Sequence, residues 1–576
     1  MSVLEPLVAA AERRARADAR IVPLRELRDD VRRMPPAPRF AAALRYGDRL
    51  GIVAEVKRAS PSEGTFAGVA TGSAAAVELA AAYAAAGARA VSILTEPTRF
   101  AGSDEDLERI ARRVMLPALR KDFITTPYGV WQARALGAGA VLLIVRTLTD
   151  ERLGELLAAA DEAGIDALVE VHDARELDRA LREDATLIGV NARDLDTLQV
   201  DVPGALRLLA AARDCGATLV AESGLSAPAD LRAAAEAGAH AVLVGTSLLR
   251  SADPAAALRD LVAAAPRREA PAPVPPMPAR AAVKVCGIRS EAAVRAARVA
   301  DADLAGFIIA PGSPRAISAE RAGELARGLG GRVRPVLVTR EPDEATLRAA
   351  LAASGIGTVQ LAGFDAPPPW TRDLDAEVIG VVHDPPTARA ALLAAEAWLR
   401  AAASRVLLEA APPAQGGGAG AGAPLDIARR VGRHVPVGIA GGLRPENVAA
   451  TVRDARPAFV DAASGLERNG TTDPGRLGRF VREARRDPTG ADRVDRHGRF
   501  GRFGGRYVPE TLMPALAELE TAWTEARRDP AFRAEADLLA RDFIGRPTPV
   551  FEVPPGALRA GRGIGPRLFL KREDLA

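Results

Sequence analysis

The stretch AVLLIVRTLTDERLGELLAAADEAGIDALVEVHD, residues 140–173, decides how the chain is read. A short apolar run, AVLLIVR (140–146), leads into an Ala-rich amphipathic segment and then into a second apolar run, ALVEVH (167–172). This is the pattern of a βα unit feeding the next strand of a parallel sheet. The alternation continues on both sides, with GIVAEVKR (51–58), AVSILTE (90–96), LPALRKD (116–122), LIGVNAR (187–193), LVAESG (219–224) and AVLVGT (241–246). Eight such strands, each followed by a helix, close into a (β/α)8 barrel whose active site lies at the C-terminal strand ends. Those ends carry Glu55, Lys57, Glu96, Lys121, Arg146, Glu170, Asn191, Arg193, Glu222 and Ser223.

A second set of eight runs follows: AVKVCGI (282–288), LAGFII (304–309), RPVLVT (334–339), TVQLAG (358–363), AEVIGVV (376–382), RVLLEAA (405–411), PVGIAGG (436–442) and AFVDAASG (458–465). The fold class expected is therefore α/β, with two tandem (β/α)8 TIM barrels. The Pro-rich stretch 266–280 reads as a semi-rigid linker, since proline fixes φ and removes a donor. A charged, turn-rich break at 486–498 reads as a second linker. Domains are thus expected at 1–265, 281–485 and 499–576. Both barrels carry small residues after strands seven and eight, ESG and GTS in the first and AGG and ASG in the second. Glycine lets a backbone approach a ligand closely, and barrels often hold a phosphate there. The same glycines also suit tight βα turns.

Composition narrows the function classes. Of 576 residues, 77 are basic and 74 acidic, so charge suggests no nucleic-acid partner. Two cysteines, Cys215 and Cys286, and five scattered histidines form neither a disulfide framework nor a metal site. The longest apolar stretch, 135–145, is too short for a membrane span of ~20 residues, and no signal peptide opens the chain. The expectation is a cytoplasmic enzyme with no metal and no membrane partner. Only four basic residues are lysine, Lys57, Lys121, Lys284 and Lys571, against 73 arginines. All four stand inside motifs, and two of them on the first barrel's rim.

The segments EVKRASPSEG (55–64), ALRKDF (118–123), EVHD (170–173), GVNARDL (189–195), AESG (221–224) and VLVGTSLL (243–250) resemble indole-3-glycerol-phosphate synthase. That enzyme of tryptophan biosynthesis decarboxylates and cyclises an anthranilate-bearing ribulose phosphate. Ring closure needs a carbonyl oxygen protonated as the aromatic carbon attacks, CO2 released, and a hydroxyl lost as water. A lysine serves as general acid when burial or neighbouring cations lower its pKa, whereas arginine keeps its proton. The resemblance implies Lys121 as general acid, Glu170 as general base for the dehydration, and Lys57 as partner of the substrate carboxylate and a second candidate proton donor, with the sharing of proton work between the two lysines left open. It implies orienting roles for Glu55, Asn191 and Glu222. Ser60, Arg193, Ser223, Gly224, Gly245 and Thr246 match or neighbour positions that bind substrate and its phosphate. Ala192 stands where many relatives have a second Asn, and Thr246 where Glu is frequent. The Arg-rich segment 1–45 is implied to pack over the barrel mouth, and a purely stabilising helix would read the same way.

KVCGI (284–288), SPR (313–315), VQLAG (359–363), IAGGLRPENV (439–448) and VDAASGLE (460–467) resemble phosphoribosylanthranilate isomerase, which makes the first barrel's substrate by an Amadori rearrangement. The resemblance implies Cys286 as the base, a thiolate if neighbouring charge lowers its pKa. It implies Arg315 as the grip on the anthranilate carboxylate and Gly441, Gly442, Ser464 and Gly465 as the phosphate cradle. Three positions depart from the family pattern. Glu409 stands for an Asp acid, Ala362 for the His of VQLHG, and Ala463 for the first Ser of SSG. The loop QGGGAGAG (415–422) also lacks the family's Lys/Thr continuation. An alternative is a monofunctional synthase whose second barrel and tail are a non-catalytic scaffold. Another phosphosugar isomerisation in the first barrel is disfavoured by its two rim lysines and Glu170.

From 499 on, RFGRFGGRYVPETLMPAL, GRPTPVFEVP and LFLKREDLA resemble the opening of the tryptophan synthase β chain. This adds an incomplete C-terminal segment of a PLP-dependent fold. The cofactor lysine of that family lies after KREDL, so Lys571 is not that residue. Pyridoxal phosphate and a tryptophan synthase α subunit are implied only for a completed segment, and the two barrels need no cofactor. A strand such as RLFLKRE is expected to be loosely packed or disordered unless it pairs with another chain.

Overall fold

A computed structural model describes residues 4–45, 48–60, 64–65, 72–268, 278, 280–409 and 425–486, with short stretches beyond 499. All sixteen runs form strands. In the first barrel these are β1 Gly51–Val56, β2 Ala90–Leu94, β3 Ala118–Lys121, β4 Ala140–Ile144, β5 Asp166–Val171, β6 Leu187–Asn191, β7 Thr218–Glu222 and β8 Ala241–Val244. In the second they are β9 Ala282–Cys286, β10 Leu304–Ile308, β11 Arg334–Arg340, β12 Thr358–Ala362, β13 Glu377–His383, β14 Arg405–Glu409, β15 Val437–Ala440 and β16 Phe459–Ala462. Each set pairs in parallel in chain order and closes, β1 on β8 and β9 on β16.

Residues 140–173 show why. Alternate side chains of β4 serve two cores: Val141 and Leu143 pack outward under the helices, while Leu142 and Ile144 fill the barrel interior with Leu168. A strand buried on both faces reads as a continuous apolar run, which is why these strands lack a polar alternation. The helix Asp150–Ala163 starts where the Thr149 side chain accepts the Arg152 N–H and stops at Gly164, whose φ of 71° suits a residue without Cβ.

The N-terminal extension forms three helices, α1 Leu4–Ile21, α2 Leu24–Arg33 and α3 Phe40–Arg45. Only α1 reaches the mouth, latched by Arg14, whose Nη2 donates to both oxygens of Asp122 at 2.7 Å. The third helix does the opposite job. Its Phe40, Ala41 and Leu44 join the interior cluster below Val53, Leu119 and Val220, so α3 plugs the floor of the barrel. The expectation of one mouth-covering prelude is corrected accordingly: apolar periodicity cannot say which end of a barrel a helix will bury against.

The second barrel lies against this same floor through its helices Ala388–Arg400 and Leu425–His434. Arg45 of α3 donates from Nη2 to Glu396 Oε2 at 2.9 Å, Arg389 pairs with Asp184 at 3.2 Å, and Arg430 with Asp161 at 2.5 Å. Within the separate C-terminal unit, Phe569–Lys571 pairs antiparallel with Val550–Glu552 of the same chain, where the sequence leads to the expectation of another chain. No helix among the described residues is long and apolar enough to cross a membrane. Most of the 266–280 linker and the loop 415–422 lie outside the described residues.

Candidate active site

The strand ends of the first barrel open on a cavity of about 400 Å³. Glu55, Lys57, Lys121, Glu170, Asn191, Arg193, Glu222, Ser223, Gly224, Gly245 and Thr246 all line it. Ser60 ends the short strand Ala59–Ser60, and its side chain lies outside the described residues. Leu4 and Leu7 of α1 also line the cavity, a contribution that the sequence did not single out.

Two lysines and three carboxylates converge there. Lys121 Nζ lies 2.8 Å from Glu222 Oε2 and 3.4 Å from Glu170 Oε2. Lys57 Nζ lies 2.6 Å from Glu55 Oε1 and donates to Thr246 Oγ1 at 2.9 Å. Asn191 closes its own turn, its Oδ1 accepting the Arg193 N–H at 3.0 Å. A Cβ on Gly245 would collide with the Glu55 carboxylate, and Ser223 and Gly224 both hold a positive φ, 66° and 75°. The backbone turns after strands seven and eight therefore come close to the charged cluster.

Electrostatics correct one expectation. Burial alone would lower the Lys121 pKa, but Glu222, Glu170 and Glu55 outweigh it and hold the ammonium charged well above its ordinary range. Lys121 is a loaded proton donor in the resting site. The carboxylates are driven apart. Burial pushes Glu222 up against the pull of Lys121, with Glu170 adding to the rise. Glu170 is burdened by the same burial, yet Lys121, His172 and Asn191 bring it below the carboxylate range. Carboxylates separated in this way are the usual mark of divided acid and base duties.

His172 was missed. Its Nε2 lies 3.4 Å from Glu170 Oε1 and its Nδ1 2.9 Å from Glu176 Oε2. These two carboxylates overcome burial and raise the imidazole to about 9. A signal existed: the fifth strand of each barrel runs into Val-His-Asp, at 171–173 and 382–384.

In the second barrel, period-2 alternation turns Cys286, Ala362, His383 and Glu409 inward at the strand ends, above Ile379, Val381 and Leu407 of the interior cluster. Burial pushes the Cys286 thiol up to about 11 although Lys284 works against it, so the lowered pKa expected of a resting thiolate is not found. Lys284 is itself clamped by Asp461 at 2.6 Å. Arg315 is not free either: it binds Glu467 through Nε at 2.7 Å and Nη2 at 2.8 Å. Gly441 and Gly442 form the turn after β15, and Ser464 and Gly465 the turn after β16. The two turns touch, since a Cβ on Gly465 would strike the Leu443 carbonyl. Glu409 stands at the end of β14 facing His383.

The family model for indole-3-glycerol phosphate synthase matches residues 4–261. The chain is 45% identical over 272 residues to indole-3-glycerol phosphate synthase of Mycolicibacterium smegmatis, covering 47% of this chain and 98% of that protein. The chain belongs to the indole-3-glycerol phosphate synthase family. To the synthase of Streptomyces griseus subsp. griseus it is 47% identical over 269 residues, covering 46% of this chain and 96% of that one. The family model for N-(5'phosphoribosyl)anthranilate (PRA) isomerase matches residues 283–483. Among solved structures, phosphoribosyl anthranilate isomerase from Thermotoga maritima is 28% identical with a TM-score of 0.32, covering 35% of this chain and 98% of that one. The chain is thus a bifunctional enzyme of tryptophan biosynthesis, a synthase barrel (carboxy-lyase) followed by an isomerase barrel.

Proposed function

We propose that the first barrel closes the indole ring of 1-(2-carboxyphenylamino)-1-deoxyribulose 5-phosphate with Lys121 as general acid and Glu170 as general base. Lys121 gives its proton to the carbonyl oxygen as the aromatic carbon attacks, and the carboxylate leaves as CO2. Glu170 then takes a carbon-bound proton while the hydroxyl, protonated by Lys57, departs as water. Lys57, steadied by Glu55, pairs with the substrate carboxylate. Glu222 orients Lys121, Asn191 orients Glu170, and the turns bearing Ser223, Gly224, Gly245 and Thr246 receive the phosphate. The observation that supports this reading is geometric: Lys121 Nζ lies 2.8 Å from Glu222 and 3.4 Å from Glu170 in the cavity at the strand ends. The test is Lys121→Arg, which keeps the charge but replaces the compact ammonium donor with a bulkier, planar guanidinium. Loss of most synthase turnover with isomerase turnover intact is expected; near-normal synthase kcat would overturn the assignment.

In the second barrel we read Cys286 as the base that removes a carbon-bound proton from N-(5-phosphoribosyl)anthranilate and Glu409 as the acid that opens the ribose ring. Arg315 grips the anthranilate carboxylate after leaving Glu467. Gly441, Gly442, Ser464 and Gly465 cradle the phosphate, a reading supported by the contact between their two turns. The placement is cytoplasmic, where soluble phosphorylated intermediates are kept. Residues 499–576 are read as the opening of a tryptophan synthase β chain on their motifs. Lys571 is a strand residue in register with Val550, and no pyridoxal phosphate step is assigned to it.

A further inference from the structure

Glu409 raises a geometric difficulty. A glutamate where the isomerase pattern has aspartate carries its carboxyl about one methylene further on a longer, freer stem. Misplacement of about 1 Å at a reacting centre can cost on the order of 10²-fold. Something must therefore hold it.

The neighbouring strand supplies the holder. His383 ends β13 directly in register with Glu409 at the end of β14. Its Nδ1 lies 3.1 Å from Glu409 Oε2. On the other side of the ring, Nε2 accepts the backbone N–H of Gly363 at 2.9 Å. A ring nitrogen that accepts cannot carry the proton of the neutral imidazole, so this contact places the hydrogen on Nδ1, aimed at Glu409. The ring is thus pinned at both nitrogens.

Space for this arrangement comes from the third strand in the row. Ala362, the last residue of β12 on the adjacent strand, turns inward and offers only a methyl group. Gly363 follows at once with a φ of 88°, and it is this N–H that meets the imidazole. The missing histidine of VQLHG and the lengthened acid are then one change seen twice: the imidazole stands on β13 instead of β12 and meets the longer carboxylate. Glu409 keeps 38% of its side chain exposed and His383 29%, so the pair remains open to the mouth.

We infer that His383 is the positioning residue of the isomerase barrel, fixing Glu409 by a hydrogen bond whose direction is set by Gly363. The inference rests on the reading of Glu409 as the ring-opening acid. A neutral N–H donor occupies one carboxyl oxygen and leaves the other for the proton delivered to the ribose ring oxygen.

The test uses the full chain, with the synthase barrel as internal control. His383→Phe keeps the ring volume and removes both nitrogens. It is expected to lower isomerase kcat by about 10- to 100-fold with KM changed less than about 3-fold, and to leave synthase kcat unchanged. His383→Gln, which offers a donor and an acceptor, is expected to recover most of that loss. In a Glu409→Gln background, His383→Phe should add less than about 2-fold, because the two residues act as a unit. Intact kcat in His383→Phe, or a full additive loss in the Glu409→Gln background, would overturn the inference. Full isomerase kcat in Glu409→Gln alone would instead overturn the acid assignment. Should His383→Phe fail to fold, the near-isosteric pair His383→Asn and His383→Leu decides: about 10-fold higher kcat for Asn is expected, and equal kcat overturns the proposal.

Discussion

Arg433, on a helix of the second barrel, holds both carboxylate oxygens of Asp166, the first residue of β5 in the first barrel, with Nε–Oδ1 at 2.9 Å and Nη2–Oδ2 at 3.0 Å. The same guanidinium donates to the carbonyls of Gly164 at 2.8 Å and Pro38 at 2.9 Å. Asp166 is buried, and Arg433 offsets that burial to hold its carboxyl below the ordinary range. Removing one partner of a buried pair strands the other, at a cost of about 3–5 kcal/mol. Arg433→Met is therefore expected to bring loss of synthase activity to markedly lower urea. Adding Asp166→Asn should recover part of the midpoint, since the stranded charge is gone; an unchanged midpoint in the single variant would count against the seam as a stabilising contact.

Acid should loosen the same seam. Burial, helped by Arg45 and opposed by Asp166, lowers His434 to about 4. The unfolded chain takes up this proton near pH 6.5 and the folded one refuses it until about 4. Stability is therefore complete above 6.5 and falls with pH across that window, by up to about 3 kcal/mol from this one ring. Asp161, raised by burial to about 6 despite Arg430, has the opposite sign: its folded state binds the proton first and gains as pH falls. The comparison that isolates the ring is unfolding of the parent and of His434→Gln between pH 7 and 4.5. The variant should show the shallower decline, and parallel curves would refute the assignment.

Gly245→Ala should damage the synthase alone. The added methyl group would strike Glu55 and dislodge it from Lys57. A loss in kcat/KM on the order of 10- to 100-fold is expected, with isomerase rates unchanged on the same chain. Normal synthase kinetics would mean that Glu55 is free to move without consequence.

Glu467 occupies Arg315, so under the proposed carboxylate grip it would compete with the substrate. Glu467→Gln should accordingly lower the isomerase KM several-fold. Arg315→Lys should raise it, because an ammonium cannot make the paired, planar contact of a guanidinium. If KM moves in neither variant, the carboxylate is bound elsewhere.

The strands were legible because a parallel strand covered on both faces cannot hide: AVLLIVR and its fifteen counterparts are nearly uninterrupted apolar runs. The lining of the candidate cavity was legible where it sits at strand ends, as with Lys121 and Glu170. What escaped depended on which side chains converge. The lysine pKa direction turned on three glutamates from three strands, Glu55, Glu170 and Glu222. Arg315 looked like a free grip until a residue 152 positions away closed on it. Phe40 and Leu44 read as one face of a helix, and nothing in their spacing marks them as a floor. His383 is marked in sequence only by the Val-His-Asp it shares with the first barrel, and its meaning lies in the loss of a histidine at Ala362 on the strand beside it.

The seam bears on how the two ends of the synthase barrel are used. The second barrel's helices meet the first barrel where its strands begin, at Asp166, Asp184 and Thr218, while the synthase cavity opens where they end. Among the described residues, then, the shared wall lies at the face of the synthase barrel opposite the mouth that holds Lys121. Covalent union here supplies a common foundation and equal copy number, and it leaves each barrel's strand ends to its own chemistry.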